Sequence, residues 1–382
     1  MRVLFDCRFI RFPRHDGVSR YTAGLVSALS RTHDVAMLIC DPGQLAMLPE
    51  LPWHLANAPW DPAEPLLARR IRQLRPDVVF SPLQIVGSWR RDYGLVLTLH
   101  DVIYHRHRTP PRNLPAAMRL LWWLYHLAWW PQRAMLDRAD EVVTVSNTTA
   151  ELIAAHRLTR RRVTVVPNAP GEAVVRRPGP ASKTLVYAGS FMPYKNVLTL
   201  VRAAELLPDY TLHLISAVPP AERHRLQACA TRARLVFHDG ADERTYQELL
   251  STATALLTAS RDEGFGLPVV EAMAAGTPVV LSDIPALREV AGDAGCYADP
   301  DDPAAFAGAV SMLEKSQVWA DRSAASVRQA AGYSWEHSAA ILAEVLERVG
   351  QGRMPEAGVH ASAKTPSCSP RRARRARKSG GM

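Results

Sequence analysis

Short apolar runs alternate with amphipathic segments along most of the chain. In the first half the runs are RVLFD, DVAMLIC, DVVFS, LVLTLHD, EVVTVS and RVTVVPN, and in the second half TLVYAGS, YTLHLIS, ARLVFHD, ATALLTAS and TPVVLSD. Segments of helical periodicity, such as SRYTAGLVSALSR and ERTYQELLSTA, lie between them. This alternation predicts parallel sheets with crossover helices, and continuously apolar strands predict burial on both faces.

The alternation is interrupted at NAPGEAVVRRPGPAS, Asn168 to Ser182, where Pro, Gly and polar residues replace the periodic pattern. We therefore predict an α/β protein of two facing Rossmann-like, doubly wound parallel-sheet domains. These would be residues 1–170 and 183–333, joined by a linker at 171–182. Because ligands of open α/β sheets bind beyond the carboxyl ends of the strands, we expect the functional site in an interdomain cleft.

The formal net charge of +9 is unevenly distributed. Residues 353–382 hold eight Lys/Arg and one acidic residue in a segment rich in Pro, Ser and Gly, which predicts a disordered basic tail. Residues 1–180 hold 24 basic and 15 acidic groups, whereas residues 181–352 hold 14 and 21. The basic half suits an anionic surface or a phosphate-bearing substrate, although a solvated surface of mixed charge would have the same composition. A tail alone is weak support for nucleic-acid binding, and we expect no such partner.

The N-terminal segment MRVLFDCRFI carries three charges and lacks the apolar run of a signal peptide, so we expect a cytoplasmic protein. The five cysteines are scattered, without the spacing of a zinc site or a disulfide framework. We expect them to be reduced and structural.

Two strand ends of the first domain carry candidate functional residues. Gly17 precedes a helix, and a glycine at a strand-to-helix turn lets backbone approach a phosphate at the helix N-terminus. A simple turn glycine would look the same. The strand LVLTLHD delivers His100 and Asp101 to its carboxyl end, where they can bind a substrate hydroxyl or exchange a proton. A capping aspartate beside a packed histidine is the structural alternative.

The second domain begins with VYAGSFMPYKNVLTLVRAA, which places Gly189 and Ser190 after a strand and Lys195 at a helix entrance. A lysine in that position can bind diphosphate oxygens with help from the helix dipole. A solvated surface lysine would produce the same pattern.

The segment SRDEGFGLPVVEAMAAG predicts a loop followed by a helix with Pro in its first turn. Glu263 then lies in the loop and Glu271 in the helix. Near a positive helix end, backbone N–H groups can bind phosphate, and ionised carboxylates can accept hydrogen bonds from sugar hydroxyls. The combination suits a nucleotide sugar, with the loop residues as further donor contacts: Gly264, Phe265, Gly266 and Leu267.

Taken together, these motifs resemble the retaining family-4 glycosyltransferases of the GT-B fold. The E-x7-E pattern from Glu263 to Glu271 carries the resemblance, together with YAGS, YKN and VVPN before it and SDIPALREVAGDAG after it. The likeness extends over about residues 1 to 350. The forms HDVIY and VVPNAP are similar to bacterial mannosyltransferases of surface-polysaccharide assembly.

The resemblance implies roles for individual residues. Glu263 would contact the donor sugar, Glu271 the ribose and Lys195 the diphosphate, with Gly17 in a loop over the diphosphate and His100 near the reacting carbon. His100 and Glu263 are thus the implied catalytic residues. Many family members have arginine where this chain has Ser190, which shifts diphosphate binding onto Lys195 and backbone amides.

The implied reaction transfers a hexose from a nucleotide sugar to a hydroxyl of a lipid-linked glycan, with retention at the anomeric carbon. GDP-mannose is the favoured donor. No Asp-x-Asp motif stands between the strands and loops identified above, so we expect no metal cofactor. Two alternatives remain: a GT-B-like sugar-nucleotide epimerase, which needs no acceptor, and a non-catalytic nucleotide-binding module.

Two helical patterns bear on surfaces of the first domain. In MRLLWWLYHLAWWPQRAML, a stripe containing Arg119, Trp123, Trp130 and Arg133 faces away from a leucine-rich side. We expect the leucines to pack on the first domain and the stripe, with Asp101, to form the acceptor or membrane side. This predicts peripheral attachment to an anionic surface at the cytoplasmic face of the inner membrane. Tryptophans that pack under a neighbouring loop are the structural alternative. In similar enzymes a helix corresponding to residues 334–352 returns to the first domain.

Overall fold

The computed structural model describes residues 1–110, 115–171 and 182–352. All of the predicted linker except Gly171 and Ser182 lies outside the described residues, as does the whole predicted tail at 353–382.

The first domain is built on a parallel sheet of seven strands, in the order β3-β2-β1-β4-β5-β6-β7. The strands are β1 Arg2–Asp6, β2 Asp34–Ile39, β3 Trp53–Leu55, β4 Val78–Ser81, β5 Gly94–Leu99, β6 Glu141–Thr144 and β7 Arg162–Val165. The helices that follow or connect them are α1 Gly17–Leu29, α2 Leu67–Leu74, α3 Ile103–Arg106, α4 Ala116–Tyr125, α5 Trp130–Leu136 and α6 Asn147–Ala155.

The second domain is built on a parallel sheet of six strands, in the order β10-β9-β8-β11-β12-β13. Its strands are β8 Thr184–Tyr187, β9 Thr211–Leu214, β10 Arg234–Phe237, β11 Ala255–Thr258, β12 Val279–Ser282 and β13 Cys296–Ala298. Its helices are α7 Val197–Glu205, α8 Pro220–Cys229, α9 Glu243–Thr252, α10 Leu267–Ala274, α11 Pro285–Ala291, α12 Pro303–Met312 and α13 Ser316–Ala330. The predicted fold class of two doubly wound parallel sheets is confirmed.

Strand order reverses beside β1 in the first sheet and beside β8 in the second. The register pairs β1 with both β2 and β4, and β8 with both β9 and β11. Central strands such as β4, β5 and β11 are buried at every position, because helices cover both faces of each sheet. Open α/β sheets bind ligands in crevices at such reversal points. Here the residues that follow β5 and β11 meet between the domains.

A long C-terminal helix, α14 Trp335–Gln351, packs against α1 and β5 of the first domain. Leu342 and Leu346 are fully buried there. The approach is close, since a Cβ on Gly24 of α1 would lie 2.3 Å from the Trp335 ring. The last helix of the described residues therefore contributes to the core of the first domain.

The predicted helix over 118–136 is in fact two helices, α4 and α5, with Pro131 at the start of α5. The expectation that the leucines pack on the first domain is wrong. None of the residues of α4 is buried, and an exposed apolar face contains Met118, Leu120, Leu121, Leu124 and Leu127. What anchors this region is an aromatic contact below it, where Trp122 meets the rings of Tyr104 and His126.

Candidate active site between the domains

The loop that joins β11 to α10 is held in place by its own side chains and backbone. Phe265 is buried and meets the Tyr333 ring edge-on at 5.5 Å. Gly266 has φ of +100°, and a Cβ there would lie 2.9 Å from Leu287, so the turn before α10 favours glycine. Leu267 then starts the helix. This rigid turn places Glu263 in the loop and Glu271 inside α10.

Glu263 and Lys195 form an ion pair in which the Lys195 Nζ lies 2.6 and 2.8 Å from the two carboxylate oxygens. Lys195 ends the 3-10 turn Pro193–Lys195, just before α7. Both side chains keep some access to solvent, since Lys195 is 16% and Glu263 11% exposed. The fold therefore brings together the residues implied to bind diphosphate and sugar, with the cation next to the carboxylate.

Glu271 is almost fully buried, at 5% exposed. The Tyr246 hydroxyl donates a hydrogen bond to its Oε2 at 2.9 Å, and Arg20 Nη1 lies 3.0 Å from its Oε1. Burial raises the pKa of the Glu271 carboxyl, and the Arg20 charge and the Tyr246 hydrogen bond oppose that rise. Arg20 comes from α1 of the first domain, so a group from each domain meets at this carboxylate.

His100 follows β5, and its Nε2 lies 2.8 Å from the Pro82 carbonyl oxygen. Since a carbonyl can only accept, Nε2 carries the proton and Nδ1 of the neutral ring is left as an acceptor. The Tyr21 ring packs edge-on against the imidazole at 4.9 Å. Burial lowers the pKa of His100 to about 4, so the ring is neutral near pH 7.

Asp101 accepts a hydrogen bond from the Ile103 backbone N–H at 2.9 Å. Burial raises the pKa of Asp101 to about 6; this hydrogen bond and the charge of Lys195 oppose the rise, and the charge of Glu263 adds to it. Asp101 is thus electrostatically coupled to the pair in the second domain.

Gly264 packs closely against the first domain. A Cβ at this position would lie 2.5 Å from the His100 carbonyl oxygen and 2.9 Å from the Asp101 Cβ. The Gly264 carbonyl in turn accepts a hydrogen bond from Ser146 Oγ at 2.6 Å. The glycine loop therefore docks on the turn after β5, and this contact places Glu263 beside His100 and Asp101.

Further contacts join the domains around this loop. Arg106 Nη1 in α3 lies 2.9 Å from Asp262 Oδ2, and His107 lies 3.5 Å from the same oxygen. Asp262 is buried, and burial raises its pKa. On the other side, Glu289 of α11 accepts hydrogen bonds from the backbone N–H groups of Asn147 and Thr148 at 2.6 and 2.8 Å, which caps α6 from the second domain.

The glycines predicted at the helix starts take different positions. Gly17 is the exposed first residue of α1, and a Cβ there would meet no atom within 4 Å. Gly189 donates its N–H to Ser216 Oγ at 3.2 Å, and the carbonyl of the exposed Ser190 accepts a hydrogen bond from the Tyr187 hydroxyl at 2.5 Å. Within the described parts of the chain, no hydrogen bond joins Gly17, Gly189 or Ser190 to the two glutamates.

The residues predicted on the acceptor or membrane side differ in whether their side chains are free or bound within the protein. Arg119, Trp123 and Trp130 are exposed, as are the leucines of α4. Arg133 instead donates hydrogen bonds to the carbonyls of Arg157 and His156 at 2.6 and 3.1 Å, where α6 ends. Arg133 is therefore engaged in holding α5 to α6, and the predicted stripe is not a continuous free surface.

Sequence reasoning missed Arg20, Arg106 and Asp262. Each lies within or near a quoted motif, since Arg20 follows Gly17 by three residues, Arg106 follows HDVIY by two and Asp262 precedes Glu263. Their proximity to the motifs was the available signal. Across residues 1–110, 115–171 and 182–352, no group of three or more His, Cys, Asp or Glu side chains is placed to hold a metal ion. In the same ranges, no helix has the length and apolar character needed to cross a bilayer.

Two facing parallel-sheet domains with an acidic and basic cluster at the strand ends between them define a GT-B architecture. The first domain matches the model of Glycosyltransferase Family 4 over residues 15–169, and the second matches Glycosyl transferases group 1 over residues 182–316. The chain belongs to the family-4 glycosyltransferases, as its motifs predicted.

Among curated relatives, the chain is 32% identical over 161 residues to O-antigen chain mannosyltransferase B of Escherichia coli, covering 40% of this chain and 42% of the relative. It is 27% identical over 185 residues to O-antigen chain mannosyltransferase RfbU of Salmonella typhimurium, covering 47% and 52%. It is 31% identical over 252 residues to D-inositol 3-phosphate glycosyltransferase of Thermobispora bispora, covering 57% and 59%. The chain thus spans about half the length of the curated relatives it matches.

Among solved structures, sucrose-phosphate synthase from Thermosynechococcus elongatus superposes with a TM-score of 0.72 at 17% identity, covering 92% of this chain and 99% of that one. Anabaena HepE in complex with UDP-glucose superposes with a TM-score of 0.69 at 16% identity, covering 91% and 100%. Likeness at this level of identity establishes the shared fold.

Proposed function

We propose that this protein is a retaining glycosyltransferase that moves a hexose, with mannose favoured, from a nucleotide sugar to a hydroxyl of a lipid-linked glycan in bacterial surface-polysaccharide biosynthesis. The observation that carries the proposal is the Lys195–Glu263 pair beside the His100–Asp101 turn, at the contact between the domains. Family membership and the E. coli mannosyltransferase relative support the choice of reaction and sugar.

In this proposal each group acts on a different part of the donor. Lys195 binds diphosphate oxygens and stabilises the negative charge that develops as the anomeric C–O bond breaks. Glu263 accepts hydrogen bonds from the sugar hydroxyls, and neutral His100 offers Nδ1 as an acceptor near the reacting carbon. The acceptor oxygen bonds to that carbon from the face the diphosphate leaves, and its proton passes to the departing phosphate oxygen. Retention follows from this front-face route, and no metal ion takes part.

The test is the release of nucleoside diphosphate from GDP-mannose, and separately from UDP-glucose, with and without polyprenyl-linked glycan from bacterial membranes. We expect GDP release that rises with acceptor, together with a new mannosyl linkage of the donor's anomeric configuration by NMR. An epimerised nucleotide sugar formed without acceptor would favour the epimerase alternative. The absence of turnover with either donor would contradict the proposal.

We also infer that the apolar face of α4 docks on an anionic lipid surface. Four large apolar side chains of α4, and Leu127 just after the helix, are between 40% and 60% exposed; those of α4 are Met118, Leu120, Leu121 and Leu124. Two exposed arginines belong to the same region, Arg119 within α4 and Arg108 near His126, in the half of the chain with the basic excess. Apolar side chains that enter the acyl boundary, with cations at headgroup level, are the pattern of an interfacial helix. The protein would then reach a lipid-linked acceptor from the cytoplasmic face.

A further inference from the structure

One carboxylate oxygen of Glu271 has no hydrogen-bond partner among the described residues. The side chain is 5% exposed, and its Oε1 accepts no hydrogen bond from any described residue, although Arg20 Nη1 is 3.0 Å away. The pair is therefore an ion pair without hydrogen-bond geometry. A buried carboxylate oxygen with a free lone pair is costly unless a ligand supplies the hydrogen bond, which points to a hydroxyl donor at this position.

Arg20 is the cation that compensates this burial. Its guanidinium also pairs with Glu243 of α9, so a single first-domain side chain bridges two carboxylates of the second domain. The charged or titratable groups that face Glu271 are Arg20 from α1, and Tyr246 and Glu243 from α9. Because Arg20 is the cation among them, separating the domains would remove the charge that offsets Glu243 beside Glu271.

We propose that Arg20 is a positioning residue that holds the Glu271 carboxylate ionised and oriented for the donor ribose, so that the ribose site is complete only when the domains are closed. This inference rests on the proposed function, because it takes the nucleoside of a nucleotide sugar as the ligand of Glu271. Arg20 acts through Glu271, and its contribution is to the recognition of ribose hydroxyls.

The test compares the affinity for a ribonucleoside diphosphate with that for its 2′,3′-dideoxy analogue, by calorimetry, using GDP and UDP. In wild type we expect the ribose form to bind about tenfold to a hundredfold more tightly, as for hydrogen bonds to a charged group. Arg20→Gln should lose most of this preference while the dideoxy form binds nearly as before. Arg20→Lys, which keeps the charge, should recover part of it.

The matched control is Arg14→Gln. Arg14 also reaches across from the first domain, where it donates to the Gly240 carbonyl, but its described contacts do not include Glu271. This variant should keep the ribose preference of wild type. If Arg20→Gln does not fold by circular dichroism, the comparison of Arg20→Lys with Arg14→Gln carries the same test.

A pH series provides a readout that a merely structural role would not change. Removing Arg20 takes away an interaction that lowers the pKa of Glu271, so this pKa should rise further in Arg20→Gln. Ribose-dependent binding should then be lost at a higher pH in the variant than in wild type as the pH falls. A wild-type ribose preference and pH profile in both Arg20 variants would overturn the inference alone. Wild-type protein that binds neither GDP nor UDP would overturn the proposed function with it.

Discussion

The loop from Glu263 to Glu271 is tightly packed within the protein, whereas the surface of α4 is exposed. In the loop, the backbone conformation of Gly266 and the burial of Phe265 leave little freedom, and the charged side chains are held by partners on both sides of the cleft. On α4, large apolar side chains face outward and no residue is buried. Local sequence determines the turn of the first region, whereas no described part of the chain buries the side chains of the second.

The largest effect should come from the loop region. Lys195→Ala and Glu271→Ala should each reduce donor use about tenfold to over a hundredfold, because each removes a charged side chain that binds the donor. Steady-state transfer assays with GDP-mannose measure this. Lys183→Ala is the control, since Lys183 pairs with Glu314 on the exposed surface of the same domain. Near-wild-type transfer by either site variant would break the assignment of the loop.

The second largest effect should be on membrane binding, which we assign to the α4 surface and not to the loop. Replacing Leu120, Leu121 and Leu124 by serine should weaken binding to vesicles of phosphatidylglycerol and phosphatidylcholine by well over tenfold. Full burial of a leucine is worth about 1.5–3 kcal/mol, and these side chains are half or more exposed in the free protein. Co-sedimentation gives the bound fraction. Leu206→Ser is the matched control, because Leu206 is similarly exposed on the second domain.

The vesicle experiment also tests the stripe of tryptophan and arginine side chains that the sequence predicts. Trp123→Ser/Trp130→Ser should weaken binding less than the leucine variant, because Arg133 is already engaged with α6 and the stripe is interrupted. Vesicle binding that is absent in wild type, or unchanged in both multiple variants, would remove the α4 surface from the mechanism.

The sequence predicted some features of the fold and the site and missed others. Alternating runs predicted the two sheets because parallel strands covered on both faces are uniformly apolar, and strand ends predicted the position of Lys195 because helix entrances follow them. The partners across the cleft, Arg20 and Arg106, could not be predicted in the same way. Their contacts depend on how two separately folded units meet, which no local periodicity encodes.

The leucine face shows the same limit from the other direction. Helical periodicity correctly separates an apolar side from a polar one, but it does not say which side meets the protein. The usual assumption that the apolar side is buried was wrong here, because Trp122, Tyr104 and His126 supply the packing that anchors the helix.

A smaller effect concerns pH at the turn after β5. With the pKa of Asp101 raised to about 6 and that of His100 lowered to about 4, transfer should fall as the pH drops through about 6, while His100 stays neutral. Protonated Asp101 loses its charge next to the Lys195–Glu263 pair, and a change of several fold is expected. Asp101→Asn should flatten this limb of the pH profile. A limb unchanged in Asp101→Asn would assign it to another group.

Excess EDTA should have the smallest effect, because we expect it to leave the rate of transfer unchanged. Lys195 lies just before the positive end of α7. If these two stabilise the charge of the leaving diphosphate, transfer does not need a divalent cation. The rate should then be equal with EDTA, magnesium or manganese, and Lys195→Ala should stay impaired when either metal is added. Chelation that abolishes transfer, with recovery on adding manganese, would contradict the metal-free mechanism. It would also mean that the side chains of the loop region are insufficient for transfer, and that a bound metal ion completes the site.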